Sequence, residues 1–336
     1  MLKCAIIGFG GLGKIHFNNI KEVSERTGGV KLVAICDIDN NSFESQIETN
    51  LGSNDVNLDL SAYNLYNDAE ELLNKEEIDF VITALPTYLH EKIAVMALEK
   101  GIHVFSEKPM ALTLEECENM IKKANENNVK LMIGQCLRFS AKYLFVKNLI
   151  DNKKYGKVVK AEFTRISPFP AWSWENWMID HEKSGGAAID LHVHDVDFIN
   201  FAFGLPNAVT SVATNHKTKH ESINTVYHYD DMLVTAIGDW GMPGKYPFAP
   251  GYTVRFEKAT VKMTATEITI YHEDGETEIA DIPQISAYAE EMVYFVNSIK
   301  ENTENTINPP ESSMQTIKIA LAEKESADTG VTVKFK

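Results

Sequence analysis

The chain of 336 residues contains 32 lysines and arginines against 48 aspartates and glutamates, which gives a formal net charge of −16. This charge disfavours a nucleic acid partner, and no apolar run is long enough to span a membrane. The chain starts without a basic region or a cleavage site, so we expect a cytoplasmic protein without a signal peptide. Its length and its 44% apolar content suit two domains. The four cysteines lack CxxC spacing, and we expect reduced, mostly buried thiols.

The first sixteen residues have the pattern of a strand, a glycine-rich turn and a helix. The apolar run Cys4–Ile7 leads into the turn, and an amphipathic stretch follows it. This order is typical of a dinucleotide-binding unit, in which the helix N-terminus offers free N–H groups to phosphates. The first glycine allows a tight turn, the second lets the pyrophosphate approach the backbone, and the third lets the helix pack on its strand. We expect cofactor contacts from the whole turn: Gly8, Phe9, Gly10, Gly11, Leu12 and Gly13.

Asp37 supports this interpretation over the alternative of a glycine-rich turn without a ligand. It follows the predicted strand Val30–Cys36, at close to the spacing of about 20 residues expected for the acid that binds the adenosine ribose. A carboxylate there accepts hydrogen bonds from the ribose hydroxyls and repels a 2′-phosphate. The sequence therefore predicts NAD as the cofactor, in preference to NADP, with Ile38 beside the acid.

The first part of the chain alternates strand and helix patterns. Continuous apolar runs predict buried parallel strands, and Thr113 with Glu116 forms a capping box that starts a helix at Leu114. From about residue 158, period-two alternation predicts a largely antiparallel sheet that is interrupted by helices, among them one at 186–203 and one at 286–300. We therefore predict an α/β protein with a doubly wound parallel sheet, the Rossmann arrangement, in residues 1–125 and a second α+β domain in residues 126–336.

Two segments follow predicted parallel strands and so belong to the carboxyl edge of the sheet, where ligands of this architecture bind. The first contributes Ala84, Pro86, Thr87 and His90 as expected cofactor contacts, although a capping or helix-surface role is favoured for His90 taken alone. The second, Ser106–Pro109, contributes Glu107 and Lys108. Lys108 is expected to reach a substrate hydroxyl and the nicotinamide ribose. The alternative is an exposed loop lysine paired with Glu107.

The segment from Gly185 to Asp197 concentrates acids and histidines. In a regular helix, Asp190, His194 and Asp197 share one face at i, i+4 and i+7. A carboxylate one turn from an imidazole orients it and raises its basicity, and histidine transfers protons near neutral pH. His192 points to the opposite side. A buried polar network that holds the helix to its sheet is the alternative. No second cluster supplies a clear third ligand, so we expect no metal.

Together these segments resemble the Gfo/Idh/MocA family, which includes glucose–fructose oxidoreductase and inositol dehydrogenases. The resemblance rests on GFGGLGKIH with Asp37, ALPTYLH, EKP and GGAAIDLHVHDVD, and it extends to the PPESSMQTIKIALAEKES ending. It implies an N-terminal NAD-binding domain and a C-terminal substrate-binding domain, whose large open sheet forms a dimer or tetramer interface. Two positions depart from the family pattern: Ala187 and His192 stand where many members have glycine, which leaves the substrate subfamily open.

The resemblance implies an NAD-dependent oxidoreductase that acts on the CH–OH group of a sugar, a sugar derivative or a cyclitol. The catalytic residues would be Lys108, Asp190 and His194, with His194 as proton acceptor. Arg138 and the tryptophans Trp172, Trp174 and Trp177 are candidates for the substrate site, and packing around a loop is the alternative for the tryptophans. Two other functions remain open: glycoside cleavage with tightly held NAD, and a non-catalytic NAD-binding regulator.

Overall fold

The computed structural model describes residues 1–44, 48–49, 52–53, 59–171 and 173–335. The chain forms two compact units, one made of Met1–Cys136 with Ser286–Met314 and the other of Leu137–Ile285 with Gln315–Lys336. The units do not follow the predicted boundary between residues 125 and 126. The strand Leu131–Gly134 pairs with the strand His103–Glu107, and the helix Ala287–Lys300 is tied to the first helix by an Arg26–Glu290 ion pair.

The first unit is built on a six-stranded parallel sheet, ordered β5-β2-β1-β6-β7-β8. This confirms the predicted Rossmann arrangement. A further two-stranded ribbon, β3 and β4, lies outside that sheet. The elements up to Cys136 are β1 (Leu2–Ile7), α1 (Gly11–Thr27), β2 (Val30–Cys36), β3 (Glu48–Thr49), β4 (Gly52–Ser53), β5 (Asn64–Tyr66), α2 (Ala69–Lys75), β6 (Phe80–Thr83), α3 (His90–Glu99), β7 (His103–Glu107), α4 (Leu114–Glu126) and β8 (Leu131–Gly134).

Two glycines let α1 start close to the sheet. Gly8 has φ of +92°, and a Cβ there would lie 2.3 Å from the carbonyl oxygen of Ala84. A Cβ at Gly13 would lie 2.1 Å from the carbonyl oxygen of Gly8. Real Cβ atoms do not approach backbone atoms so closely, so only glycine fits at either position. The turn after β1 therefore packs against both the end of β6 and the first turn of α1.

The second unit is built on a nine-stranded sheet, ordered β16-β15-β14-β13-β9-β12-β11-β10-β17. Neighbouring strands are antiparallel except β9 and β12, which are parallel. This confirms the predicted mostly antiparallel sheet. The remaining elements are α5 (Ala141–Asp151), β9 (Val158–Pro168), α6 (His181–Ser184), α7 (Ala187–Asp190), α8 (Val193–Phe203), β10 (Ala208–Thr214), β11 (Ser222–His228), β12 (Leu233–Met242), β13 (Ala249–Phe256), β14 (Ala259–Met263), β15 (Ile268–His272), β16 (Thr277–Ile279), α9 (Ala287–Lys300), α10 (Pro310–Thr329) and β17 (Val333–Lys334).

The single helix predicted at 186–203 is wrong, because α7 and α8 are separated at Leu191 and His192. The N–H of His192 bonds the carbonyl of Ala187, five residues back, at 2.8 Å. A bond of this span widens the turn, as in the π-type turns often found at functional sites. The expectation that Asp190 and His194 share a face assumed regular helical spacing, and the wide turn lies between them.

The interior of the second unit contains buried ion pairs. Arg138, which is 2% exposed, binds both oxygens of Asp197 at 2.8 and 2.7 Å. Arg165 binds both oxygens of Asp195 at 2.9 and 3.0 Å. Removing one partner of such a pair leaves an uncompensated buried charge and costs about 3–5 kcal/mol. These two pairs therefore fix α8 to the residues before α5 and to β9.

His192 is packed into a buried polar cluster. Its Nε2 lies 3.3 Å from the Tyr227 hydroxyl on β11 and 3.4 Å from the Glu323 carboxylate on α10. A Cβ at Gly238 on β12 would lie 2.7 Å from the His192 Cβ, so glycine at 238 makes the room that the histidine needs. Burial lowers the pKa of His192 to about 3 and raises the pKa of Glu323 to about 8. At neutral pH the histidine is therefore neutral and Glu323 retains its proton.

We expect the free energy of unfolding to fall less with rising pH in Glu323→Gln than in the wild type. The folded protein keeps the Glu323 proton up to about pH 8, whereas the unfolded chain releases it near the ordinary pKa of 4.5. The stability that the Glu323 proton contributes to the wild type is thus fully present below about pH 4.5 and is lost as the pH rises through 8. Between about pH 5 and pH 9 the free energy of unfolding should change by roughly 2–4 kcal/mol in favour of the variant.

Denaturant unfolding at a series of pH values measures this difference. Glu325→Gln on the same helix is the control, because Glu325 is exposed. If the free energy of unfolding depended on pH in the same way in wild type and in Glu323→Gln, Glu323 would not be the group that keeps its proton in the folded protein.

Candidate active site

The carboxyl edge of the parallel sheet contains a point where the strand order reverses. β1 lies beside β2 on one side and β6 on the other, and the chain reaches β6 only after β5 at the far edge. Ligands of open α/β sheets bind outside the carboxyl ends of the strands at such a point. Gly8 follows β1 here, and its N–H bonds the carbonyl of Cys36 at the end of β2.

The glycine-rich turn leaves room for a dinucleotide. A Cβ at Gly10 would meet no atom within 4 Å, in contrast to Gly8 and Gly13. Gly10 is also the N-cap of α1, and the first turn of that helix contains no acid. A phosphate can therefore approach the backbone and the N–H groups at the helix start. The donors and the space fit the pyrophosphate of NAD.

The Asp37 carboxylate is fixed against this turn. One of its oxygens accepts the N–H of Phe9 at 2.6 Å and the other accepts the N–H of Asp39 at 2.9 Å. Burial raises the pKa of Asp37, and these backbone hydrogen bonds oppose the rise. The carboxylate is thereby oriented beside the turn, where an adenosine ribose would bind. Ile38, next to it, is 73% exposed.

Lys14 belongs to this region, and the sequence analysis missed it. Its side chain is 3% exposed, and its ammonium lies 5.5 Å from the centroid of the Phe9 ring. Burial lowers its pKa, and the negative charge of Asp37 opposes that effect. Its position directly after the third glycine of the motif was the available signal, since it places the side chain in the first turn of α1.

Of the residues after β6, Ala84 and Pro86 are partly exposed and Thr87 is buried. His90 is fully buried, with Nδ1 2.7 Å from the carbonyl of Pro109 and Nε2 2.8 Å from the carbonyl of Leu85. Its ring therefore ties the loop after β6 to the loop after β7. Burial lowers the pKa of His90. These contacts give His90 a structural task in holding the edge loops.

Glu107 and Lys108, at the end of β7, differ in how far their side chains are buried. Glu107 is 2% exposed, with one oxygen 2.7 Å from His16 Nε2 and the other accepting the N–H of Lys108 at 3.2 Å. Lys108 is half-buried and precedes Pro109 in a cis peptide. The Glu107 carboxylate thus points into the unit and binds the Lys108 backbone.

The second unit contains the other expected site residues. Asp190 ends α7 and is 6% exposed, while His194 is in the first turn of α8 and is half-buried. Asp197 is committed to Arg138 and also accepts a hydrogen bond from Thr316 at 2.9 Å. Because the Arg138 guanidinium is buried and bound to Asp197 in a bidentate manner, its contacts are those of a structural residue. This is the buried polar network that the sequence analysis left open.

The tryptophan candidates differ in exposure. Trp174 is 41% exposed and Trp177 is half-buried, whereas Trp172 lies outside the described residues. Over the described part of the chain, no group of three His, Cys, Asp or Glu side chains is arranged to bind a metal ion. In the same residues no helix combines the length and the hydropathy of a membrane span. Cys4, Cys36, Cys117 and Cys136 are buried free thiols.

Comparisons with known proteins place this fold among oxidoreductases. The chain is 30% identical over 237 residues to scyllo-inositol 2-dehydrogenase (NAD(+)) of Bacillus subtilis, covering 70% of this chain and 63% of that protein. It is 27% identical over 253 residues to 2,7-anhydro-N-acetylneuraminate hydratase of Mediterraneibacter gnavus, covering 72% and 62%. In both comparisons the matched part spans just under two thirds of the relative.

Solved structures share the whole fold. Myo-inositol 2-dehydrogenase from Lactobacillus plantarum superposes with a TM-score of 0.81 at 24% identity, covering 100% of this chain and 99% of that one. Two family models match in sequence, one described as oxidoreductase family, NAD-binding Rossmann fold, over residues 2–135 and one as the GFO/IDH/MocA C-terminal domain over residues 143–262. The chain therefore belongs to the Gfo/Idh/MocA family of oxidoreductases.

Proposed function

We propose that this protein is an NAD-dependent dehydrogenase of a CH–OH group in a sugar, a sugar derivative or a cyclitol. The observation that carries the proposal is the open face at Gly10 beside the fixed carboxylate of Asp37, which suits an unphosphorylated adenosine ribose. Named relatives act on inositols and on glucose 6-phosphate, which supports a polyol substrate. The residues proposed to contact NAD are those of the glycine turn, Asp37, Ile38, and the edge residues Ala84, Pro86, Thr87 and Lys108.

We assign the chemistry to three side chains. His194 accepts the proton of the substrate hydroxyl, and Asp190 orients and stabilises the resulting imidazolium. Lys108 donates a hydrogen bond to the same oxygen and stabilises its developing negative charge. Bound NAD would supply the acceptor for the hydride of the carbinol carbon. The carbinol becomes a carbonyl, with one proton on His194 and two electrons carried by the hydride.

The protein is further proposed to act in the cytoplasm as a homodimer or homotetramer through the nine-stranded sheet. Its four buried free thiols suit a reducing compartment. Large apolar side chains on the outer strands are exposed, including Val212 at 68% and Ile279 at 66%. These exposed side chains are the support for an association surface on this sheet.

A redox-neutral reaction is the second candidate. Similarity to a protein named a hydratase of an anhydro sugar acid favours it. In such a reaction the substrate changes while no NADH accumulates, because the hydride returns before product release. A regulator that binds NAD without turnover would give neither result. Substrate conversion and NADH absorbance, measured together over a panel of inositols, sugars and glycosides, distinguish the three.

Gly10→Ala and Gly13→Ala should separate cofactor binding from folding. The Cβ added at position 10 meets no protein atom but occupies the space of the pyrophosphate, so the variant should fold normally and bind NAD at least about tenfold more weakly, a loss near 1.4 kcal/mol. The Cβ added at position 13 collides with the Gly8 carbonyl, so that variant should melt at a lower temperature without NAD. Calorimetric titration and thermal unfolding measure the two effects. Normal NAD affinity in Gly10→Ala would refute the proposed pyrophosphate position.

Asp37→Asn should change the cofactor preference. Loss of charge-assisted hydrogen bonds to the ribose should weaken NAD by about 1.5–3 kcal/mol, or roughly tenfold to a hundredfold in Kd. Binding of NADP should weaken less or improve, because the repulsion of the 2′-phosphate is removed. Titration of both dinucleotides against apo protein measures the ratio, with exposed Asp59→Asn as the control. An unchanged NAD to NADP ratio would count against the role of Asp37.

Lys108→Met and His194→Asn should abolish most hydride transfer in protein that is folded and binds NAD. Loss of the oxyanion donor should lower kcat about 10²–10³-fold, and loss of the proton acceptor should lower it about 10²–10⁴-fold. Initial rates of NADH formation measure both. Lys122→Met and His272→Asn are the matched controls, because both side chains lie outside the proposed site. Wild-type rates in either site variant would exclude the proposed mechanism.

A further inference from the structure

The Glu107 carboxylate, next to Lys108 in the chain, contacts three parts of the first unit: α1, the backbone of Lys108 and β8. Its Oε1 lies 2.7 Å from His16 Nε2 on α1, and its Oε2 accepts the backbone N–H of Lys108 at 3.2 Å. Against β8, a Cβ at Gly134 would lie 3.2 Å from the carboxyl group. The Lys108 peptide is therefore held by a carboxylate whose own position is set by His16.

One face of α9 covers this group. Tyr288, Glu291 and Phe295 follow one another at spacings of three and four residues and so share a face. The Tyr288 ring centroid lies 6.2 Å from that of His16, and the Phe295 ring lies 5.7 Å from Phe105 on β7. Glu291, between them, has no exposed surface. Its carboxyl group is thus enclosed on the side of α9 that faces His16 and the end of β7.

Several buried polar atoms in this region lack hydrogen-bond partners among the described residues. Within the described parts of the chain, neither carboxyl oxygen of Glu291 nor His16 Nδ1 has a hydrogen-bond partner. The same holds for Nδ2 of Asn19, one turn after His16 on α1. Buried polar groups in native proteins are almost always satisfied, and ordered internal water is the usual partner where protein atoms do not reach. Unsatisfied atoms of this kind on α1 and on the covering face of α9 suit an internal water between the two helices.

The charges around Glu291 decide its protonation. The charged group that acts on it is the Glu107 carboxylate on β7, which is itself bonded to His16. Burial, together with the nearby negative charge of Glu107, raises the pKa of Glu291 well above its ordinary value. This shift favours the protonated form of Glu291, which has an O–H group to donate.

We propose that Glu291, His16 and Glu107 form a buried, water-bridged hydrogen-bond chain that positions Lys108. In this chain the Glu291 hydroxyl donates through an internal water to His16 Nδ1, His16 Nε2–H donates to Glu107 Oε1, and the Lys108 N–H donates to Glu107 Oε2. These residues do not touch substrate and act only through Lys108. The functional consequence rests on the proposed dehydrogenase activity, whereas the chain itself does not.

Infrared spectroscopy of the folded protein without NAD tests the protonated Glu291 on which the chain depends. The spectrum at neutral pH should contain the C=O stretch of a protonated carboxylic acid, part of which disappears in Glu291→Gln. Glu323 contributes a second such band, which should remain in both proteins. Glu290→Gln is the control, because Glu290 is the neighbouring acid on α9 and forms an ion pair with Arg26. Equal carboxylic acid absorbance in wild type and Glu291→Gln would overturn the proposal.

Kinetics then test the positioning of Lys108. Glu291→Gln keeps a neutral hydrogen-bonding group and should retain near-wild-type kcat, whereas Glu291→Leu should lower kcat about 10–100-fold with NAD affinity unchanged. Glu107→Gln should also lower kcat, because its amide cannot accept from both His16 and Lys108. Wild-type kcat in a folded Glu291→Leu protein would refute the positioning role. If the wild type turns over no substrate, the proposed function fails while the infrared result still decides the chain.

Discussion

The structure depends first on the contact between the start of α1 and the turn after β1. Gly13 faces the carbonyl of Gly8, and Gly8 in turn faces the carbonyl of Ala84, at distances that exclude any side chain. This close packing brings a helix N-terminus, the end of β2 and the end of β6 to one edge of the sheet. The free N–H groups of α1, the carboxylate of Asp37 and the loop after β6 follow from it. Gly10, which has open space around it where Gly8 and Gly13 do not, is then available to a ligand.

The parallel sheet was predictable because its signals are local. Buried parallel strands are continuous apolar runs, and caps such as Thr113 with Glu116 mark the helices between them. β5 was not predicted, since its three residues, Asn64–Tyr66, are mixed in polarity and form an edge strand paired only with β2. The place of α9 was not predicted either. Its periodicity shows that it has an apolar face, but periodicity does not identify Phe80 and Phe105 as the rings it packs against.

In the candidate site, too, the residues marked by local sequence signals were predictable, and those that depend on contacts distant in sequence were not. Residues at strand ends, such as Asp37 and Lys108, could be located because the topology of a parallel sheet brings those ends to one edge. The Asp190–His194 face was inferred from regular spacing, and spacing does not reveal a turn widened at His192. That turn accommodates a side chain whose space is provided by Gly238, on a strand distant in sequence. Likewise, the sequence made Arg138 a candidate for the substrate site, and it does not reveal the buried ion pair of Arg138 with Asp197.

Helices α9 and α10 each bury one glutamate, at a position where an apolar side chain would be expected. Glu291 is buried near Glu107, and Glu323 lies against His192 and Tyr227. Apolar side chains at these positions would avoid the desolvation of a polar group and would commonly give a more stable interior. A hydrogen bond, however, fixes direction, whereas an apolar contact fixes only distance. In each unit the polar cluster adjoins a segment that carries proposed site residues, the Glu107–Lys108 loop and the turn between Asp190 and His194. Orientation of those two segments is the advantage that a buried hydrogen-bonding group has over an apolar side chain at these positions.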